Sequence, residues 1–215
     1  PARENLEVVV AGRHTKALSH HLVTIDNGID VFAYPFEKLM ASGRFDRIVF
    51  DLPPSGSSRL ADLAMQTGKY LVVPTSSGVD NIDGLRVLAE ELETLESDIV
   101  LLGVVMMKIL ASAPRKRVET RAEVAEVLAG VADPFQTIIR EAGAAYDDSR
   151  RAGLFLHEYA EWASTVSVSD QISSRIKIPA NLADLAREFY ELADEVDDRI
   201  ALAERLLAEA DAEAA

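Results

Sequence analysis

Residues 47–58, RIVFDLPPSGSS, run from an apolar stretch into the carboxylate of Asp51 and leave through two prolines and a small-residue turn. An aspartate fixed at the end of a buried strand can accept hydrogen bonds from the water shell of Mg2+, and the metal bridges phosphate oxygens. Pro53 and Pro54 stiffen the exit beside such a metal. Ser55, Gly56, Ser57 and Ser58 supply small residues before the next helix. Taken alone the pattern is ambiguous, because acids also end strands for purely structural reasons.

A second group is cationic. Arg115, Lys116 and Arg117 follow Pro114 at the start of a helix, with Arg121 one turn on. A solvated helix start is the plain reading, yet cations there oppose the helix dipole, which makes a phosphate partner more attractive. Arg140, Arg150 and Arg151 form another basic group. The histidines suggest packing rather than chemistry. His20 and His21 are adjacent, and neighbours on a helix point about 100° apart, so they do not share a metal easily. His157 in LFLHEYAEW stands alone beside an apolar run. Ser55, Ser76 and Ser77 have no visible His–Asp partners for a hydrolytic triad.

These residues need a frame. Short apolar runs bounded by turn residues predict strands at Leu6–Gly12, Ile29–Tyr34, Arg47–Asp51, Tyr70–Pro74 and Ile99–Met107, and a shorter one at Phe135–Ile139. Apolar residues spaced by three and four predict helices around Leu60–Ala64, Ile82–Leu95 and Val118–Leu128. Alternation of this kind implies an α/β fold with a mostly parallel sheet flanked by helices. From Leu182 to Leu207 the same spacing predicts one long amphipathic helix, its inner part on the core and its outer part projecting beyond about Arg199. The organisation expected is thus a core over residues 1–178 and a terminal helix over 179–215.

Charge narrows the function. The chain of 215 residues has a net charge of −14. Residues 181–215 hold eleven acids against three arginines, so this tail carries −8 of that total. Nucleic-acid binding then requires a local patch rather than the whole surface. Hydrophobic residues make up 48% of the chain, enough for a sizeable core, and no apolar run is long enough to span a bilayer. The absence of cysteine removes disulfides and thiolate metal sites. A cytoplasmic location is the expectation.

The stretch FDRIVFDLPPSGSSRLADLAMQTGKYLVVPTSSGVDNIDGL resembles the Walker B segment and following unit of ParA-type partition ATPases, in the ParA/MinD family of deviant Walker P-loop ATPases. IVLLGVVMMKI resembles the strand before the base-contacting loop of that family, PFQTIIREAGAAYDDSRRAGLFLHEYAEWA its late segment, and FYELADEV its terminal helix. The resemblance implies a P-loop NTPase-like fold. It also implies ATP and Mg2+ as cofactors, with Asp51 reaching the metal through water and Pro53, Pro54 and Ser55 beside it. An ATP-dependent homodimer would bind DNA non-specifically through the basic residues named above. A ParB-type centromere-binding partner would stimulate hydrolysis, giving a nucleoid-associated protein of DNA partition. The departures are equally plain. No G-x-x-x-x-G-K-[ST] phosphate loop occurs, VVVAGRHTK has one glycine and no paired spacing, and the family's second aspartate motif is missing. The expectation is that the first strand, the phosphate loop and the next strand lie outside this sequence, and that the chain as given is inactive as an ATPase. Two alternatives stay open: a MinD-like membrane-surface positioning ATPase, against which the acidic terminal helix argues, and a non-catalytic interaction module.

Overall fold

In a computed structural model of the chain, residues 3, 5–10, 12, 17–18, 21–22, 24–25, 27–53, 59–94, 97–110, 112–173 and 178–214 are described. Ile29, Phe32, Ala33 and Phe36 are the partly buried residues of helix α1, Gly28–Ala41, and their spacing is helical. The strand predicted over Ile29–Tyr34 is therefore a helix. A short apolar run bounded by turn residues suggested a strand, but the helix runs through Pro35 because the face that packs decides the period. Next come α2, Arg59–Thr67; β1, Tyr70–Ser76; α3, Val79–Thr94; β2, Val100–Ile109; and α4, Pro114–Val127. The chain then forms β3, Ile138–Arg140; α5, Gly143–Ala152; α6, Leu156–Thr165; α7, Val168–Ser173; and α8, Leu182–Ala214.

The three strands form one parallel sheet in the order β1-β2-β3, with α3 and α4 as the crossovers that parallel neighbours require. β2 is its apolar centre, buried from Leu102 to Met106. It pairs with β3 through Met106 with Ile138, Met107 with Ile139 and Ile109 with Arg140. The irregularity between Met107 and Ile109 falls on Lys108, whose φ of 55° lies in the left-handed region.

Two compact units divide the chain: Pro1–Leu71 with Arg86–Leu101, and Val72–Leu85 with Leu102–Ala215. In the first, Ala61, Leu63, Ala64 and Met65 of α2 are buried. Neither Leu6–Gly12 nor Arg47–Asp51 pairs into a sheet among the described residues, contrary to the strands predicted there. Val8, Val9 and Val10 are 71%, 95% and 81% exposed. Residues 47–53 instead alternate: Ile48, Phe50 and Leu52 are partly buried, while Arg47, Val49, Asp51 and Pro53 are exposed. An extended run is not yet a strand, because it has to find a neighbour for its backbone hydrogen bonds.

The second unit has its own core, in which Ala145, Leu156, Tyr159, Ala163, Leu182 and Leu185 pack together. Gly153, at φ 67°, closes α5 and turns the chain into α6. There the Glu158 carboxylate accepts the Phe155 N–H at 2.6 Å.

Helix α8 is fastened to the β3 segment by charged side chains lying within its core-facing stripe. Glu188 accepts the Arg140 backbone N–H at 3.0 Å and also pairs with the Arg140 guanidinium. Two turns on, Glu195 accepts the Gln136 and Thr137 N–H groups at 2.7 and 2.9 Å. Arg199 donates to the carbonyls of Leu102, Asp133 and Pro134 at 2.6, 2.6 and 3.0 Å, and to Glu195 at 2.9 Å. Its guanidinium lies 4.0 Å from the centre of the Phe135 ring. Gly103 makes the seat: a side chain there would run into Arg199 and the Asp133 carbonyl, and its φ of 144° suits glycine.

Burial pushes the Glu195 carboxyl up, but the Thr137 and Gln136 N–H groups, the Thr137 hydroxyl and Arg199 outweigh it and hold the group below its usual range. A carboxylate whose folded pKa is depressed adds stability above its unfolded pKa, and that stability is lost as pH falls through the folded value. Denaturant titrations between pH 6 and pH 3 are therefore expected to show the parent losing more stability below pH ~4.5 than Glu195→Gln does. Parallel losses in the two proteins would refute the role given to this carboxylate.

Candidate functional site

The residues singled out by their chemistry lie in both units. Asp51, in the first, is exposed on the same open side as Val49 and Pro53. Its position comes from the opposite side of the segment. Phe50 packs on α1 with its ring 4.8 Å from Phe36, edge-on at 88°, and 6.1 Å from Phe32. Pro54 and Ser55, the two other residues expected beside the metal, lie outside the described residues. Asp51 thus stands at the open end of a one-sided run, and among the described residues no sheet edge surrounds it.

Also in the first unit, Asp62, Met65, Glu91, Leu92 and Thr94 line a pocket of about 180 Å3. It falls below the ~300 Å3 at which small-molecule sites begin. Its two acids would repel phosphate.

In the second unit several candidates lie at, or next in the chain after, the carboxyl ends of β1, β2 and β3, the side where parallel sheets place ligands. At the end of β1, Thr75 is buried and Ser76 Oγ accepts a hydrogen bond from Asn81 Nδ2 at 3.0 Å. Near the end of β2 stands Lys108, exposed and left-handed, at a backbone cost of about 1 kcal/mol for a residue with a Cβ. The sequence reading did not single it out. Its signal is faint: one lysine in an otherwise apolar run.

Arg115, Lys116 and Arg117 occupy the first turn of α4 behind Pro114, as the sequence predicts. All three are exposed, and among the described residues none makes an ion pair or side-chain hydrogen bond. The turn contains no acid. The helix is held by its other side, where Thr120, Val124 and then Leu128 are buried.

The second basic group is divided by the structure. Arg140 closes β3, and its guanidinium is committed to Glu188, with Asp184 3.9 Å away. Its carbonyl accepts the Tyr146 hydroxyl at 2.9 Å. Burial pushes the Tyr146 phenol up; Glu188 adds to the shift and Arg140 opposes it. Arg140 is thus engaged within the fold. Arg150 and Arg151 are exposed in the last turn of α5, where cations suit the helix dipole, and Arg151 lies 3.8 Å from Asp148.

His157 packs, as expected: its ring lies 5.8 Å from Phe155 at 19° and 5.4 Å from Tyr190. His20 lies outside the described residues. Among the described residues no group of three or more acidic, His or Cys side chains could hold a metal, and no helix is long and apolar enough to cross a membrane. Asp51 alone makes no cradle for a triphosphate, so these residues by themselves do not fit ATP with Mg2+.

No model of a known protein family matches the chain, and no curated protein matches it.

Proposed function

We propose that the chain carries the DNA-binding surface and the magnesium-side aspartate, Asp51, of a ParA-type partition ATPase. In this reading ATP joins two copies, the dimer binds DNA without regard to sequence, and a ParB-type partner triggers hydrolysis. The parallel α/β sheet is compatible with it. The ordered resemblance of the pieces around Asp51, β1, β2, β3 and α8 supports it, and the phosphate loop that it needs is not among these 215 residues.

The observation that carries the DNA part is the free cationic turn of Arg115, Lys116 and Arg117, next in the chain after the carboxyl end of β2. Three cations with no side-chain partner among the described residues, at the end of a helix that disfavours them, are available for phosphate. An acidic chain can still bind DNA this way, because the acids are concentrated in α8.

A salt titration on unrelated duplexes tests the reading in the full-length protein with its phosphate loop, comparing the ATP-bound dimer with its Arg115→Ala, Lys116→Ala, Arg117→Ala variant. Each phosphate contact releases counterions, so removing three is expected to flatten the logarithmic salt slope by up to about 2.7. Affinity is expected to fall about tenfold, equally across sequences, while ATP binding is unchanged. Equal slopes and affinities would remove this turn from the DNA surface and leave Arg150 and Arg151. A sequence-dependent loss would count against non-specific binding itself.

A further inference from the structure

The core-facing stripe of α8 carries Leu185, Glu188, Leu192, Glu195, Val196 and Arg199, at spacings that keep them on one side of the helix. Beyond Arg199 the same stripe continues as Ala203, Leu206, Leu207 and Ala210, with Leu202 on its shoulder. Among the described residues nothing covers it, for Leu202, Leu206 and Leu207 are 48%, 56% and 44% exposed. At 1.5 Å per residue, the part from Ile200 to Ala214 is about 22 Å long. An isolated helix of that length is marginal in water, and helices that stand free in solvent are ordinarily polar all round. This one keeps a core-type stripe with no core beneath it among the described residues.

The flanks of the stripe indicate what covers it. Residues 200–214 carry Glu204, Glu209, Asp211 and Glu213 against Arg205 alone. Two copies lying together would bring eight acids against two arginines, which disfavours self-pairing, and an anionic lipid surface is disfavoured by the same charge. A helix with an apolar stripe of its own flanked by Lys or Arg meets both requirements: it buries the leucines and neutralises the rim. We propose that the outer half of α8 is a docking site for a basic amphipathic helix of a partner protein. The proposal rests on α8 alone and does not depend on the nucleotide reading.

The test uses the full chain and three synthetic helix-forming peptides. One has leucines at i, i+3, i+4 and i+7 flanked by lysines, the second has glutamates on the flanks, and the third keeps the lysines but has serine for leucine. Fluorescence anisotropy is expected to show the first binding at least about tenfold more tightly than either other. Hydrogen exchange across residues 200–214 is expected to slow when it binds. The Leu202→Ser, Leu206→Ser, Leu207→Ser variant keeps every charge and changes no residue of the packed core. It is expected to lose about tenfold or more in affinity while its unfolding midpoint stays put. Equal binding of the two lysine peptides, or unchanged binding by the variant, would reduce the effect to general charge attraction and overturn the proposal. A concentration-dependent dimer in sedimentation that the leucine variant abolishes would also overturn it, making a second copy the occupant.

Discussion

Arg199→Ala is expected to lower the unfolding free energy of the second unit by about 3 kcal/mol. The guanidinium satisfies three carbonyls and one carboxylate at once and covers the Phe135 ring. Its side chain is only 18% exposed, so water does little of that work. Truncation strips the partners from Leu102, Asp133 and Pro134 and leaves the Glu195 charge with the Gln136 and Thr137 N–H groups and the Thr137 hydroxyl. Lysine is a poor substitute, since a single ammonium cannot reproduce a planar fork that reaches several acceptors. Arg199→Lys is therefore expected to recover less than half of the loss. Urea unfolding followed by the circular dichroism of the helices reads both variants. A loss below ~0.5 kcal/mol for the alanine variant would place Arg199 among ordinary surface residues.

In the first unit the largest expected effect belongs to Phe50→Ala, at about 2 kcal/mol. Phe50 joins the extended run 47–53 to α1 through Phe36 and Phe32, an arrangement of rings worth more than its buried area alone. Its neighbour provides the control: Val49 is 87% exposed on the other side of the same backbone, so Val49→Thr is expected to change stability by less than ~0.5 kcal/mol. Similar losses from the two substitutions would mean that both sides of the segment are covered in solution. Full retention of stability by Phe50→Ala would mean that the segment is not anchored on α1.

The contrast between Phe50 and Val49 shows what the sequence can convey. RIVF and VVV have the composition of strands, and a strand was the expectation for each. Composition reports what a segment would tolerate, whereas pairing depends on another piece of chain being within reach. β1, β2 and β3 were legible because each is apolar and a helical crossover separates it from the next. The start of α4 was legible from Pro114, and the length of α8 from its spacing. Ile29–Tyr34 misled because it is a short apolar run bounded by turn residues, and only packing against Phe50 reveals the period. Among the site candidates, the exposure of Arg115, Lys116 and Arg117 followed from their types. The commitment of Arg140 to Glu188 did not, because the two are 48 positions apart in the chain. A trace of it was present all the same. Glu188, Glu195 and Arg199 fall inside the apolar stripe of α8, and charges in such a stripe signal partners in the core.

The outer side of β3 illustrates a further consequence of that stripe. A parallel sheet of three strands ends in two open edges, and an open edge is a template on which a foreign chain can add itself. On β3 and the residues leading into it, the N–H groups of Gln136, Thr137 and Arg140 are occupied by the carboxylates of Glu188 and Glu195. A carboxylate satisfies these donors as a carbonyl would, but no ladder can propagate from a side chain. Helix α8 therefore keeps this edge from offering a bare row of donors, and it does so through two glutamates.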